Sequence, residues 1–300
     1  MNLQSTPNAP QTGTHEGQLL DRLFIGAGAM KAGTTWLYQV LDRHPDLFFS
    51  LEKEVHYFYA VHVNPSVLSE ETRLRNVRDK YLRIDPAQSR ATAVRQRLHW
   101  ASNYLDAPID DIWYRNLFIF RRNERFAADF SNLYALLPPE AWARITASVG
   151  ELRVLYTMRH PVKRLWSHVK FHLQVTGQSA ALDTWGPDDF RRFVRKPFIW
   201  ENAEYGRALR SMKAGLTQGA LLPAFHEEIH ADERGFLAHL EGFLGIRAHD
   251  YPTDLLDRRV NETARREMPD FFADLVAPDV ERIINEVRAE GLCPPKSWSN

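Results

Sequence analysis

The chain has 300 residues, 44% of them hydrophobic, enough for a sizeable core and for one or two domains. Its 38 basic and 38 acidic side chains cancel, which excludes a general polyanion coat and a disordered acidic tail. A single cysteine, Cys293, excludes an internal disulfide framework and a multi-cysteine zinc site, and no run reaches the roughly 18 apolar residues of a membrane span.

Residues 1–20 are polar and rich in Gly, Pro, Thr and Gln, without the basic start and apolar stretch of a secretory signal. A flexible tail and a cytoplasmic location are the expectation. Order begins at Arg22-Leu23-Phe24-Ile25-Gly26-Ala27, an apolar run that predicts a buried strand. A Gly-containing turn follows. Trp36, Leu37, Val40 and Leu41 then fall at helical spacing, and the helix stops at His44-Pro45. A second apolar piece spans 47–50. Residues 66–105 read as polar helix broken at Pro86. Within 73–97 stand eight Lys/Arg against two Asp, a basic stretch in a neutral chain. Further strands are expected at 125–129, 152–157 and 220–225, the last near a sheet edge because of Pro223. Helices are expected at 138–149, 161–174, 201–215 and 232–243. Strands alternating with helices predict an α/β fold in three layers, a central parallel sheet with helices on both faces. No linker divides 21–300, so one domain is expected, with 60–124 as a mostly helical insertion.

Two segments carry chemistry. Gly26 to Thr35 joins the first strand to the first helix. Its small residues admit an anion to the backbone N–H groups, and the helix start adds partial positive charge. Lys31 supplies a cation, and Thr34 and Thr35 supply hydroxyls. The loop is P-loop-like but lacks the adjacent Gly-Lys-Thr/Ser of a Walker loop, since Lys31 precedes Gly33 by two. The second segment ends the 152–158 strand. A P-loop NTPase has an acid there for Mg²⁺; this chain has Arg159, then His160-Pro161 and, on the following helix, Ser167. A cation and a hydroxyl suit a second phosphate. A ligand with two separated phosphates and no metal fits the pair.

Together these segments resemble the 5′-phosphosulfate loop and the 3′-phosphate motif of sulfotransferases that use 3′-phosphoadenosine 5′-phosphosulfate (PAPS). Lys31-Ala32-Gly33-Thr34-Thr35-Trp36-Leu37 resembles the family's Lys-Ser/Thr-Gly-Thr-Thr loop, and Arg159-His160-Pro161 with Ser167 resembles Arg-Asn/Asp-Pro…Ser. Lys53-Glu54-Val55-His56-Tyr57-Phe58 is close to Lys-Glu-x-His-Phe-Phe of the glycan O-sulfotransferase branch. Asp129-Phe130-Ser131-Asn132-Leu133-Tyr134 stands in place of Glu-Lys-Thr-Pro-x-Tyr. Phe225-His226-Glu227-Glu228 and Phe243-Leu244-Gly245 sit where the family has Tyr-Glu-Asp and Phe-Leu-Gly. Two departures stand out: the family lysine is Phe130, and its proline is Asn132.

The resemblance implies PAPS as co-substrate and adenosine 3′,5′-bisphosphate (PAP) as product, with no metal. It implies Lys31 at the leaving oxygen, the N–H groups of Ala32, Gly33, Thr34 and Thr35 on the 5′-phosphate, and Arg159 with Ser167 on the 3′-phosphate. Trp36 either stacks on adenine or belongs to the core. Glu54 matches the glycan branch's catalytic base. In an extended segment Glu52, Glu54 and His56 would share one side, so that His56 orients the carboxylate. His99 is the nearest counterpart of the aryl and alcohol branch's histidine. Asp129 is a further polar group for the acceptor pocket. The acceptor implied is an alcohol, first a carbohydrate hydroxyl; the basic stretch, Trp100, Trp113 and Tyr114 either bind it or are a solvated face and core. No nucleic-acid partner is expected. The competing readings are a P-loop kinase or NTPase, and a PAPS-binding protein without turnover.

Overall fold

The computed structural model describes residues 17–85, 87–258 and 266–298; residues 1–16 of the expected tail, the expected break at Pro86, 259–265 and 299–300 lie outside the described residues. In chain order the elements are β1 (Leu20–Gly26), α1 (Thr34–Leu41), β2 (Leu47–Phe49), α2 (Tyr57–His62), α3 (Glu70–Asn76), α4 (Ala91–Leu105) and α5 (Asp111–Asn116). There follow β3 (Phe126–Phe130), α6 (Pro139–Ser148), β4 (Val149–Met158), α7 (Pro161–Val175), α8 (Ala181–Thr184), α9 (Pro187–Val194), α10 (Pro197–Trp200) and α11 (Tyr205–Gly215). The chain closes with β5 (Leu221–Phe225), α12 (His226–Ile229), α13 (Glu233–Leu244), α14 (Thr253–Leu256) and α15 (Asp270–Ala289). The expected strands are all present. β1 starts earlier than its apolar run, because Leu20 pairs with Val149.

The five strands are parallel in the order β2-β3-β1-β4-β5, with Pro223 on an edge strand. Alternate residues of each strand face opposite layers. Leu23, Ile25, Ala127, Val154 and Tyr156 face a core shared with α6, α7, α11 and α15. Phe24, Phe126, Ala128 and Leu155 face a second core, closed by Trp36, Leu37, Val40 and Leu41 of α1 and by Leu237, Leu240 and Leu244 of α13.

Parallel strands deliver their carboxyl ends to one edge. The chain leaves β1 toward β2 on one side of the sheet and reaches β4 on the other, so the loop after β1 lies where the connections diverge. That is the place at which open α/β sheets bind ligands. The loops after β2, β3, β4 and β5 end beside it.

The helical segment between β2 and β3 is built on aromatic packing. Trp100 stacks on Tyr104 and donates its indole N–H to Ser50 (3.1 Å). Tyr57 stacks on Tyr114 at 4.5 Å. Trp100, Trp113 and Tyr114 are all buried in the larger core, so they hold the segment together and offer no face to an acceptor.

Candidate functional site

The loop after β1 is pinned to the end of β4. Ala29 N–H donates to Thr157 O (2.6 Å), and both the N–H and the hydroxyl of Thr157 donate to Gly28 O (2.8 Å each). Gly28 has φ 107° and Gly33 φ 90°, conformations that glycine adopts without the cost a Cβ would bring. A Cβ on Gly33 would also lie 2.7 Å from His226 Nδ1. Gly33 is the residue before α1, and no side chain caps the helix there. Its first-turn N–H groups therefore face the loop and not a capping oxygen.

Cations converge on this loop. The Lys31 ammonium lies 4.4 Å from the centre of the Phe171 ring on α7. Burial, then the charges of Arg159, Lys170 and Lys53, lower its pKa to about 8. The Arg159 guanidinium donates to Lys31 O (3.3 Å), and burial lowers its pKa as well. Ser167, Lys170 and Phe171 lie three and four residues apart on α7, hence on one helix face, and Phe171 turns that face toward Lys31. Among the described residues no carboxylate forms an ion pair with Lys31, Arg159 or Lys170. Half-buried, mutually repelling cations, of which Arg159 feels the nearby acid Glu227, suit an anion. Beside them, His226 Nδ1 is buried without a hydrogen-bond partner, and burial holds its pKa down at about 3.

Trp36 donates its indole N–H to Leu256 O (3.0 Å) and meets His230 edge to face. It is 5% exposed and packed in the second core, so a nucleotide would meet only its rim.

On the other side of the loop stands Glu54. Its carboxylate accepts from Lys53 Nζ (2.5 Å) and from the Asn132 backbone N–H (2.8 Å). Lys53 Nζ also lies 3.5 Å from Thr34 Oγ1. His56 Nε2 is 3.9 Å from the same carboxylate, and burial lowers the pKa of the ring, which is therefore neutral at pH 7. His56 occupies a left-handed backbone conformation (φ 60°) and donates its backbone N–H to Ser131 Oγ (3.0 Å). Ser131 donates to Asp129, whose carboxyl also accepts from Tyr114 (3.0 Å) and Tyr134 (2.6 Å). Complete burial pushes the Asp129 pKa up to about 6 despite those donors. Asp129 thus anchors the loop that holds both His56 and Glu54.

Three expectations change. Segment 50–56 is not a strand, so Glu52 does not share a side with Glu54; it is buried, paired with Lys80 (2.9 Å), and accepts from Tyr81 (3.1 Å). Lys53, which strand alternation turns away from Glu54, meets it instead. His99 is exposed on the outer side of α4, against Phe120, lining a 670 Å³ groove with Ile84, Val94 and Leu98, while the same helix buries Trp100 and Tyr104. Lys53, Lys170 and the Asn132 N–H are the site groups that sequence patterns did not single out. A lysine adjacent to the matched glutamate was the one available signal.

Cations therefore gather on a loop at the carboxyl edge of a parallel sheet, with an oriented carboxylate across from them. A model of the sulfotransferase family matches residues 23–250. The chain belongs to the sulfotransferase family, whose members take a sulfuryl group from PAPS. Among solved structures, a sulfotransferase from Alicyclobacillus acidocaldarius superposes with a TM-score of 0.61 at 18% identity, over 92% of this chain and 98% of that one. The sulfotransferase domain of the Synechococcus PCC 7002 olefin synthase gives 0.49 at 15% identity, over 96% and 100%. Retinol dehydratase in complex with androsterone and the inactive cofactor PAP gives 0.44 at 12%, over 93% and 83%. The first of these shows a shared fold. A search among curated proteins finds no match. Among the described residues no helix is long and apolar enough to cross a membrane, and no group of three or more His, Cys, Asp or Glu is placed to hold a metal ion.

Proposed function

We propose that the protein transfers a sulfuryl group from PAPS to an acceptor hydroxyl, and that the acceptor is a carbohydrate. The observation that carries this reading is the Glu54 carboxylate, held between Lys53, which reaches the donor loop at Thr34, and the Asn132 N–H. An oriented base beside a phosphate loop is what acceptor deprotonation needs. The Lys-Glu-x-His-Tyr-Phe phrase supports a sugar hydroxyl over a phenol.

PAPS fits the residues present: half-buried converging cations, an uncapped helix start and a glycine cradle whose floor is His226. When bound it supplies an activated sulfuryl group on a phosphate leaving group. Lys31 and the N–H groups of residues 32–35 hold the 5′ end, with the hydroxyls of Thr34 and Thr35; Arg159 and Ser167 hold the 3′-phosphate. Glu54 takes the acceptor proton. His56, neutral, stands 3.9 Å from the carboxylate. Arg159 at the end of β4 speaks against a kinase, which needs a metal-binding acid there.

The test is a thermal-shift panel followed by transfer from labelled PAPS to glycans and phenols. PAP without added metal should stabilise the protein by about 2.7 kcal/mol at a hundredfold excess over its Kd, and AMP much less. Equal stabilisation by AMP, or a requirement for Mg²⁺, overturns the two-phosphate site. Binding without transfer to any acceptor would leave a PAPS-binding protein.

A further inference from the structure

The cation that the family resemblance implies near the sulfuryl or acceptor site is missing, since position 130 holds Phe130. The ring is fully in the core, edge-on to Phe24 (5.4 Å) and Phe49 (5.2 Å). No charge can reach the reacting centre from there. Lys53 comes from the neighbouring strand's exit, and its side chain is only 16% exposed. Its ammonium touches the donor loop at Thr34 Oγ1 (3.5 Å) and the carboxylate of Glu54 (2.5 Å).

We propose that Lys53 is a second catalytic cation, which stabilises the sulfuryl oxygens during transfer in place of the cation absent at position 130. This rests on Glu54 as base. In the reaction the acceptor oxygen bonds to sulfur while the bond from sulfur to the 5′-phosphate oxygen breaks. The electron pair stays on that phosphate oxygen, and the acceptor proton passes to Glu54. The proton neutralises the carboxylate that held Lys53. The ammonium is thereby uncompensated at the moment negative charge gathers on the sulfuryl and leaving oxygens. A fixed cation aimed at developing charge lowers the barrier more than it tightens ground-state binding. Lys31 differs: it sits inside the phosphate loop and contributes to binding as well.

Calorimetry with PAP, melting of the PAP complex with added sodium sulfate, and turnover on the best acceptor test this. Sulfate beside PAP stands in for the transferring group. Lys53→Met is expected to bind PAP within about threefold of the unsubstituted protein while losing about 100-fold in kcat. It should also lose the rise in melting temperature that sulfate gives over chloride of equal ionic strength. Lys53→Arg should recover much of both, because it restores the charge. Lys53→Gln carries the same readings if the methionine variant does not fold. A kcat near that of the unsubstituted protein, a loss confined to PAP affinity, or an unchanged sulfate response overturns the proposal. Glu54→Gln separates the two readings. Full activity there removes the base and with it the proposal that rests on it; loss there with an indifferent Lys53→Met removes the cation alone.

Discussion

The donor edge and the helical segment between β2 and β3 both carry many cations, yet the two regions use them in opposite ways. At the donor edge Lys31, Arg159 and Lys170 crowd together with no carboxylate in ion-pair contact among the described residues, although Glu227 acts on Arg159, and burial lowers the pKa of each. In the helical segment, three of the eight basic residues of the 73–97 stretch, Arg73, Arg78 and Lys80, are occupied with the protein itself. Arg73 is 4% exposed and donates to three carbonyl oxygens, of Leu68, Tyr104 and Asp106. Lys80 holds Glu52, and Arg78 holds Asp79. A run of arginines that looks like an anion site is in part a clamp for loop carbonyls, while the fewer cations of the donor edge converge on one loop. Charge counted along a chain reports neither; the partner of each charge does.

The largest contrast should come from two glutamates two residues apart. Glu54→Gln keeps size and hydrogen-bonding reach but cannot take a proton, so kcat should fall by a factor of ~10²–10⁴ with PAP affinity unchanged. Glu52→Gln removes the helical segment's anchor at Lys80 and should lower the melting temperature with little change in kcat per folded molecule. Steady-state kinetics beside thermal melts check both. Equal kinetic losses would mean that the helical segment, and not the base, governs the chemistry.

Next come two arginines. Arg159→Ala should weaken PAP binding by about 1.5–3 kcal/mol, the contribution of a charge-assisted hydrogen bond to phosphate. Arg73→Ala should leave PAP affinity alone and destabilise the fold, because it strands buried carbonyls. Calorimetry that finds PAP affinity unaltered in Arg159→Ala would return that residue to a strand-end contact.

A smaller effect is expected from pH. The groups facing Lys31 are Arg159, Lys170 and Lys53, all cationic, with Phe171 beneath it. With its pKa lowered to about 8 in the free protein, Lys31 is charged below that pH and increasingly neutral above it. A bound phosphate favours the charged form, so binding takes up a proton as pH rises through 8, and PAP affinity declines there. Enthalpies in buffers of different ionisation heat should show that uptake near pH 8, and Lys31→Met should abolish it. The smallest effect belongs to Arg78→Ala: its pair with Asp79 is exposed, and neither PAP affinity nor the melting temperature should move.

The amino-acid sequence by itself determined the order of strands and helices, the phosphate loop and the end of β4, because these follow from local regularities. Apolar runs, helical spacing and small residues at a turn act over a few residues, and parallel strands then bring their ends to one edge regardless of what separates them. Lys31 and Arg159 could be named on those grounds, whereas Glu54 was named through the resemblance of its phrase to the glycan branch. Tertiary structure decided the partners. Alternation along 50–56 paired Glu52 with Glu54 and sent Lys53 away; the irregular backbone instead gave Glu52 to Lys80 and brought Lys53 against Glu54 and Thr34. It buried Trp36 and Trp100, whose sequence surroundings allowed a ligand face equally well. The physical reason is that desolvation and ion pairing depend on what arrives from elsewhere in the chain. Glu54 is held by an N–H 78 residues away, a contact that neither a motif nor a periodicity encodes.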